Sequence, residues 1–284
     1  HERYYKRFGH KFGTTIRSIF VDETLPSWSA LLPAAFQKAC GYDLIPLLPA
    51  LQDAAHPRHL EVTRDLRVLQ YEHFLNSYDK PIQKWCEAHN IAYSGEKGSM
   101  RLSQLQYMHI PGCDPGHTKA GAEELDTLTG DTRRSAKATA SAAYFYNKEG
   151  ALDKCFHSLG WSGTIQDAKF IAESLVLMDI RYLVPHGFFY STHALKKHDA
   201  PPTFFFQMPY WPLWKHLSDH IDQLYTHFEG THIAAETLLI DHATVLPTRQ
   251  DIRTDDVFRN TLIQNQIDFL MVDTDILESG TLIA

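Results

Sequence analysis

The 284-residue chain is poor in the features that mark several functional classes. It has only four cysteines, Cys40, Cys86, Cys113 and Cys155, widely separated and without a CxxC pair. That spacing builds neither a zinc knuckle nor a disulfide framework. No apolar run approaches the roughly 18 to 20 residues of a membrane span, so no membrane partner is expected. Positive charge is also short: 27 basic against 34 acidic residues leave a net charge of -7. A nucleic-acid partner, which needs a clustered basic face, is therefore not expected. HExxH, HxH, GxSxG, P-loop and dinucleotide fingerprints are all missing.

What is present is a 44% apolar chain, enough for one large core or one core plus part of another. Both ends, at His1 and Ala284, read as cuts in a longer protein, so localisation stays open. Residues 14–21 alternate and are rich in β-branched and aromatic types, as a strand requires, and run into Asp22-Glu23. A helix is expected over 29–40, closed by Gly41. A longer one is expected over 58–89, broken near Pro81. Further strands are expected at 91–94, 105–110, 138–146 and 181–185. Residues 119–134 read as a polar loop or surface helix, and 164–178 and 210–228 as helices.

Strand, polar exit and helix thus recur, the pattern of parallel βα units. The expected fold class is α/β: the C-terminal part, about strands 4–8, of a (β/α)8 TIM barrel. Five strands cannot close such a barrel, so three are expected upstream. A boundary is expected at 229–230. The barrel portion then occupies 1–229, and 230–284 opens a following α/β, flavodoxin-like domain.

In a β/α barrel the strand exits share one face, where active sites are built. Glycosidic cleavage needs two carboxyl groups, and Glu23 and Glu149 stand at the expected first and fourth exits. Glu23 reads as a general acid, with Asp22 beside it setting its pKa. Glu96, between Gly95 and Lys97-Gly98, is a third candidate, because glycine lets backbone approach a ligand. His186 reads as a sugar-hydroxyl donor beside an aromatic platform, Phe188 to Tyr190. His109 and Asp114, flanking Pro111-Gly112, are weaker versions of the same case. Against each stands the commoner alternative of a solvated or structural residue. Seventeen histidines raise the question of zinc. His216, His220 and His227 share a helical stripe, but it flanks that helix's apolar seam and reads as a solvated face.

The run Leu183-Val184-Pro185-His186-Gly187-Phe188-Phe189-Tyr190-Ser191, followed by Asp199-Ala200-Pro201-Pro202, resembles the α-L-rhamnosidases of glycoside hydrolase family 106 and their relatives. Phe20 to Glu23, Gly41 to Leu44 with Leu48-Pro49, Ile110 to Asp114, Gly160-Trp161 and residues 237–247 follow in the matching order, so the resemblance covers roughly residues 10 to 250. It implies a barrel enzyme that removes terminal, rhamnose-like sugars from an oligosaccharide or glycoside. It implies a catalytic pair after strands four and seven, which falls on Glu23 and Glu149, and inversion at the anomeric carbon. No cofactor is required for that chemistry; calcium in the sugar site is admitted by the resemblance without a ligand set. Two alternatives stay open: another exo-glycosidase, such as a β-galactosidase, on the same barrel, or a carbohydrate-binding barrel without turnover.

Overall fold

Five short segments of β-branched, apolar and small residues form one parallel sheet. They are β1 (Ser18–Val21), β2 (Ala92–Glu96), β3 (Ile110–Cys113), β4 (Ala151–Cys155) and β5 (Ile180–Pro185). This is a computed structural model; it describes residues 1–96, 101–114, 136–231, 233–241 and 249–280, with side chains omitted for 249–256. The sheet order is β1-β2-β3-β4-β5, each strand parallel to its sequence neighbour. A doubly wound sheet would reverse its order midway. This one never does, which is the winding of a β/α barrel segment.

Between β1 and β2 the chain forms α2 (Leu32–Cys40), α3 (Leu48–Gln52), α4 (His59–Phe74) and α5 (Lys80–Ala88), α1 being Glu2–Phe8; α2 to α4 pack on one another. Gly41 ends α2 in the left-handed region, φ 81°, as its sequence position suggests. The break expected at Pro81 takes a milder form. Residues Leu75–Asp79 make a single π turn, and α5 resumes with Pro81 in its first turn. Proline there lacks the N–H to bond Ser77 and would crowd its carbonyl, and the wider turn accommodates both.

Two expectations fail here. Residues 138–146 are not a strand: α6 (Ala136–Phe145) is a helix. Its five alanines favour helix, and nearly all its side chains are buried, so no polar face reveals a helical period. The fourth strand lies later, at β4. Residues 105–110 also shift, with a 3-10 turn over Leu102–Tyr107 and β3 beginning at Ile110. β3 carries Pro111 and Gly112, which read as a turn in sequence. Gly112 is required there, because a Cβ would sit 2.2 Å from the Gly95 carbonyl oxygen on β2. Residues 119–134 lie outside the described part.

α7 (Ile165–Leu177) begins with a capping box: the Asp167 N–H donates to Thr164 Oγ1 at 3.2 Å, and the Thr164 N–H to Asp167 Oδ2 at 2.8 Å. Thr164→Ala is expected to cost about 1 kcal/mol, read by urea denaturation. After β5 and α8 (Trp214–Phe228) comes a second parallel pair, β6 (Thr237–Ile240) and β7 (Phe269–Val272), with α9 (Arg249–Gln264) between them and α10 (Thr274–Glu278) after. It forms its own sheet but shares a core with α6, through Phe269 to Val272 against Ala138, Ala142 and Phe145. The Met271 N–H donates to Ser141 Oγ, and Lys137 reaches Asp268 at 2.5 Å. Among the described residues, no helix is long and apolar enough to cross a membrane.

Candidate functional site

Side chains alternate across a strand, so one contact fixes a whole parity. Ser18, Ala92, Ser94, Ile110, Leu152, Tyr182 and Val184 are among the residues that line a hollow of about 650 Å³ against the sheet. Continuing each strand in steps of two toward its C-terminal end reaches Asp22, Glu96, Asp114, Lys154 and His186. Residues far apart in sequence are thereby delivered to one end of the sheet.

There they meet. Lys154 Nζ lies 2.8 Å from Asp22 Oδ1, 2.8 Å from Asp114 Oδ2 and 3.4 Å from Glu96 Oε1. His157, just past β4, pairs with the other oxygen of Asp114. The Glu23 N–H donates to Glu96 Oε1 at 3.0 Å, from a backbone held at φ 46°. That φ is uncommon for a residue with a side chain. One carboxyl oxygen each from Glu23, Glu96 and Asp114 lies within 4.8 Å of the others. The His186 N–H donates to the Cys155 carbonyl at 2.7 Å, extending the β4–β5 ladder, and its ring stands 5.8 Å from that of His157.

The four acids do not share one environment. Glu96 is 3% exposed, and this burial, with a hydrogen bond to Asp22 and the nearby Asp114, lifts its pKa to about 7 despite Lys154. Asp22 is held below the usual range, chiefly by the Lys154 hydrogen bond. Burial pushes Asp114 upward, but its hydrogen bonds from His157 and Lys154 outweigh it and keep it low. Burial would lower Lys154; its bonds to Asp114 and Asp22 prevail and hold it well above the ordinary lysine value. Burial, then Lys154 and His157, depress His186. The pocket therefore sets one proton-bearing carboxyl beside ionised ones, the separation that acid–base chemistry needs.

Two solved glycoside hydrolases share this fold. One is a rhamnosidase from Novosphingobium sp. PP1Y, at TM-score 0.54 and 15% identity, over 92% of this chain and 25% of that one. The other is Gan42B, a GH42 beta-galactosidase, at TM-score 0.60 and 10% identity, over 95% of this chain and 47% of that one. The chain thus spans about a quarter and about half of their lengths. No family model and no curated protein matches it. The likeness shows the fold alone, an α/β chain whose parallel sheet is consistent with part of a TIM-like barrel.

The sequence-derived site residues separate into two groups. Asp22, Glu23, Glu96, Asp114 and His186 gather at the C-terminal ends of the strands. Glu149 and His109 do not. With 138–146 helical, Glu149 precedes β4 instead of following a strand. It lies at the opposite end of the sheet, bonded to Tyr182 and 3.9 Å from Arg17. Burial and that carboxylate together push the Tyr182 phenol to about 12. The expected Glu23–Glu149 pair is therefore not assembled. Glu149→Gln is expected to change kcat/KM less than twofold in any assay that responds to Glu96, and a loss beyond tenfold would contradict this placement. His109 also precedes its strand, and its Nδ1 accepts the Tyr93 N–H at 3.0 Å. Tyr190 lies beyond β5 with 88% exposure, whereas Phe188 is packed edge-on to Phe205, Trp211 and Trp214. On the histidine stripe, His220 bonds Glu173 and His227 bonds the Gln223 carbonyl.

Sequence reasoning missed Lys154 and His157. Lys154 sits inside a short, mostly apolar segment, Ala151-Leu152-Asp153-Lys154-Cys155, and could have been found by strand parity once that segment was recognised. The three oxygens of Glu23, Glu96 and Asp114 are the hard donors calcium prefers. However, the Lys154 ammonium already bridges Glu96 and Asp114, and a dication among them would face it at close range. The arrangement does not fit calcium while Lys154 is charged.

Proposed function

We propose that the chain is the catalytic part of a glycoside hydrolase acting on a terminal sugar, with Glu96 as proton donor and Glu23 as the second carboxylate. The observation that carries this is Glu96: buried, poised near pH 7, and set among ionised acids at the C-terminal end of a parallel β/α sheet. In this reading the five strands are barrel strands four to eight, and residues 230–284 open a following domain.

Protonated Glu96 passes its proton to the glycosidic oxygen as the bond to the anomeric carbon breaks. Lys154 and Asp22 hold the Glu96 carboxyl in place, and Asp114, paired with His157, holds Lys154. The short spacing between the Glu23 and Glu96 oxygens, within 4.8 Å, favours the retaining arrangement, whose carboxyls stand about 5 to 5.5 Å apart. Glu23 then bonds to the anomeric carbon. Glu96, now ionised, takes a proton from the water that displaces Glu23. Asp114 is a poorer second carboxylate, because Lys154 and His157 occupy both its oxygens.

A rhamnose-like sugar is the leading substrate, supported by the resemblance carried by residues 183–191 and by the rhamnosidase among the fold neighbours. A β-galactoside is the second reading, favoured by the higher TM-score to the galactosidase. The test is a panel of 4-nitrophenyl glycosides, including α-L-rhamnoside and β-D-galactoside, offered to the intact protein, with the released anomer followed by proton NMR. Release of one sugar with retained configuration is expected. Sugar binding without release from any glycoside would favour a non-catalytic carbohydrate-binding barrel.

A further inference from the structure

Two loops on the far side of the sheet from Glu23 are laced together. The exit from β4 lies along residues 197–201 of the long segment after β5. The Ser158 N–H donates to the Ala200 carbonyl at 3.4 Å, and the Gly160 N–H to the Pro201 carbonyl at 3.0 Å. The Trp161 indole N–H donates to the Lys197 carbonyl at 3.0 Å. That bond ties the ring in place while leaving it 38% exposed. An indole held by its one N–H offers its carbon surface to a ligand. Trp161 is four residues from His157, which pairs with Asp114, so their Cα atoms are at most roughly 14 Å apart. Trp161 therefore stands within a few sugar units of the acid cluster.

The segment that holds the indole is basic. Residues 191–201 carry Lys196, Lys197, His193 and His198 against one acid, Asp199, and residues 193–199 are all exposed. Among the described residues neither lysine ammonium is paired with a carboxylate. The chain as a whole carries a net charge of -7, so this positive charge is local. Lys154, by contrast, is already bonded to Asp22 and Asp114. The floor of the site is acidic, and this part of its rim is basic.

We infer that the rim binds an anionic sugar, a uronate or a sulfated unit, on the leaving-group side of the bond, and that the terminal sugar removed from it is neutral. The inference rests on the hydrolase reading above and narrows its substrate. The sheet runs in order from β1 to β5, so the β4 and β5 exits lie beyond Glu96 from Glu23. A leaving group departs on the proton donor's side, away from the nucleophile. An anion in the cleaved position would face the Asp22 and Asp114 carboxylates. At the rim it meets two unpaired ammonium groups, and its ring carbons stack on Trp161.

The test titrates three probes by calorimetry: a galacturonate hexamer, a sulfated galactan hexamer and a neutral galactan hexamer. The proteins are the intact parent, its Lys196→Glu/Lys197→Glu variant and its Trp161→Ala variant. Saturable binding of at least one acidic hexamer is expected, at least tenfold tighter than the neutral one; the tighter of the two names the anionic group. The double lysine variant should weaken it at least tenfold with unchanged circular dichroism, and Trp161→Ala about fivefold. Raising salt should weaken it too, because exposed charges are screened beyond about 8 Å at physiological ionic strength. A 4-nitrophenyl glycoside carries no second sugar, so the lysine variant should change its kcat/KM less than twofold. Acidic hexamers that do not bind, bind no better than the neutral one, or bind the lysine variant equally would overturn the inference even if glycosides are cleaved. Conversely, charge-selective binding lost in the lysine variant, without turnover of any glycoside, would uphold the rim and defeat the hydrolase reading alone.

Discussion

Glu96→Gln is expected to lower kcat by about 10² to 10⁴ for glycosides with poor leaving groups, the span typical of a lost general acid. A leaving group that needs no proton should largely escape. For a 2,4-dinitrophenyl glycoside, cleavage of the first bond should fall less than tenfold. That contrast separates a proton donor from a residue that only shapes the pocket, whose loss would affect both substrates alike. The pH dependence has a definite sign. Glu96 acts protonated, so parent activity should fall as pH rises through about 7, and the variant's residual activity should lack that limb. Stability follows the same group. A carboxyl raised in the folded state favours folding below its unfolded pKa, near 4.5, and that contribution is lost as pH rises to about 7. The span is on the order of 3 kcal/mol for so buried a group. The variant's melting temperature should therefore improve relative to the parent between pH 5 and pH 8.

Lys154→Met should have the largest effect on folding. Lys154 touches Asp22, Glu96 and Asp114, with only 13% of its side chain exposed. Removing the cation leaves the buried Glu96 and Asp114 uncompensated, typically at about 3 to 5 kcal/mol, while the exposed Asp22 is screened by water. Methionine keeps most of the volume, so the loss should reflect charge more than packing. Destabilisation should be greatest above pH 7, where Glu96 joins the ionised acids, and should ease as the carboxyls protonate. The alkaline limb of activity should also move upward, because the cation that favours ionised Glu96 is gone. Urea denaturation at pH 5 and pH 8, with a kcat/KM profile, measures both. A variant as stable as the parent at pH 8, with an unmoved limb, would show that Lys154 does not balance these acids.

Much of the architecture was legible in the chain. β1 and β5 carry β-branched and aromatic residues and run into polar exits, and the Thr164 cap and Gly41 stop mark their helices. The reading failed where burial on every side erased period. α6 is nearly all alanine and small residues, packed between the main sheet and β7, and it looked like a strand. β4 holds Asp153 and Lys154 in a five-residue strand, and charged residues conceal a strand when the charge faces a polar pocket. That single exchange put Glu149 at a strand exit and left Lys154 unnoticed. Glu96 was visible as a candidate, preceded by Gly95, whose need is now plain: a Cβ there would lie 2.1 Å from the Val21 carbonyl oxygen. Its rank above Glu23 as proton donor was not visible, because burial and charge surroundings arise only when β1 to β4 align.

The most direct test is to titrate Glu96 itself. With glutamate labelled by carbon-13 at the side-chain carboxyl, and Glu96→Gln to identify its signal, the resonance should move with a midpoint near pH 7. A midpoint near 4.5 would mean that Glu96 is an ordinary carboxylate at neutral pH. It would then have no proton to give, and the acid–base role assigned to this end of the sheet would be wrong.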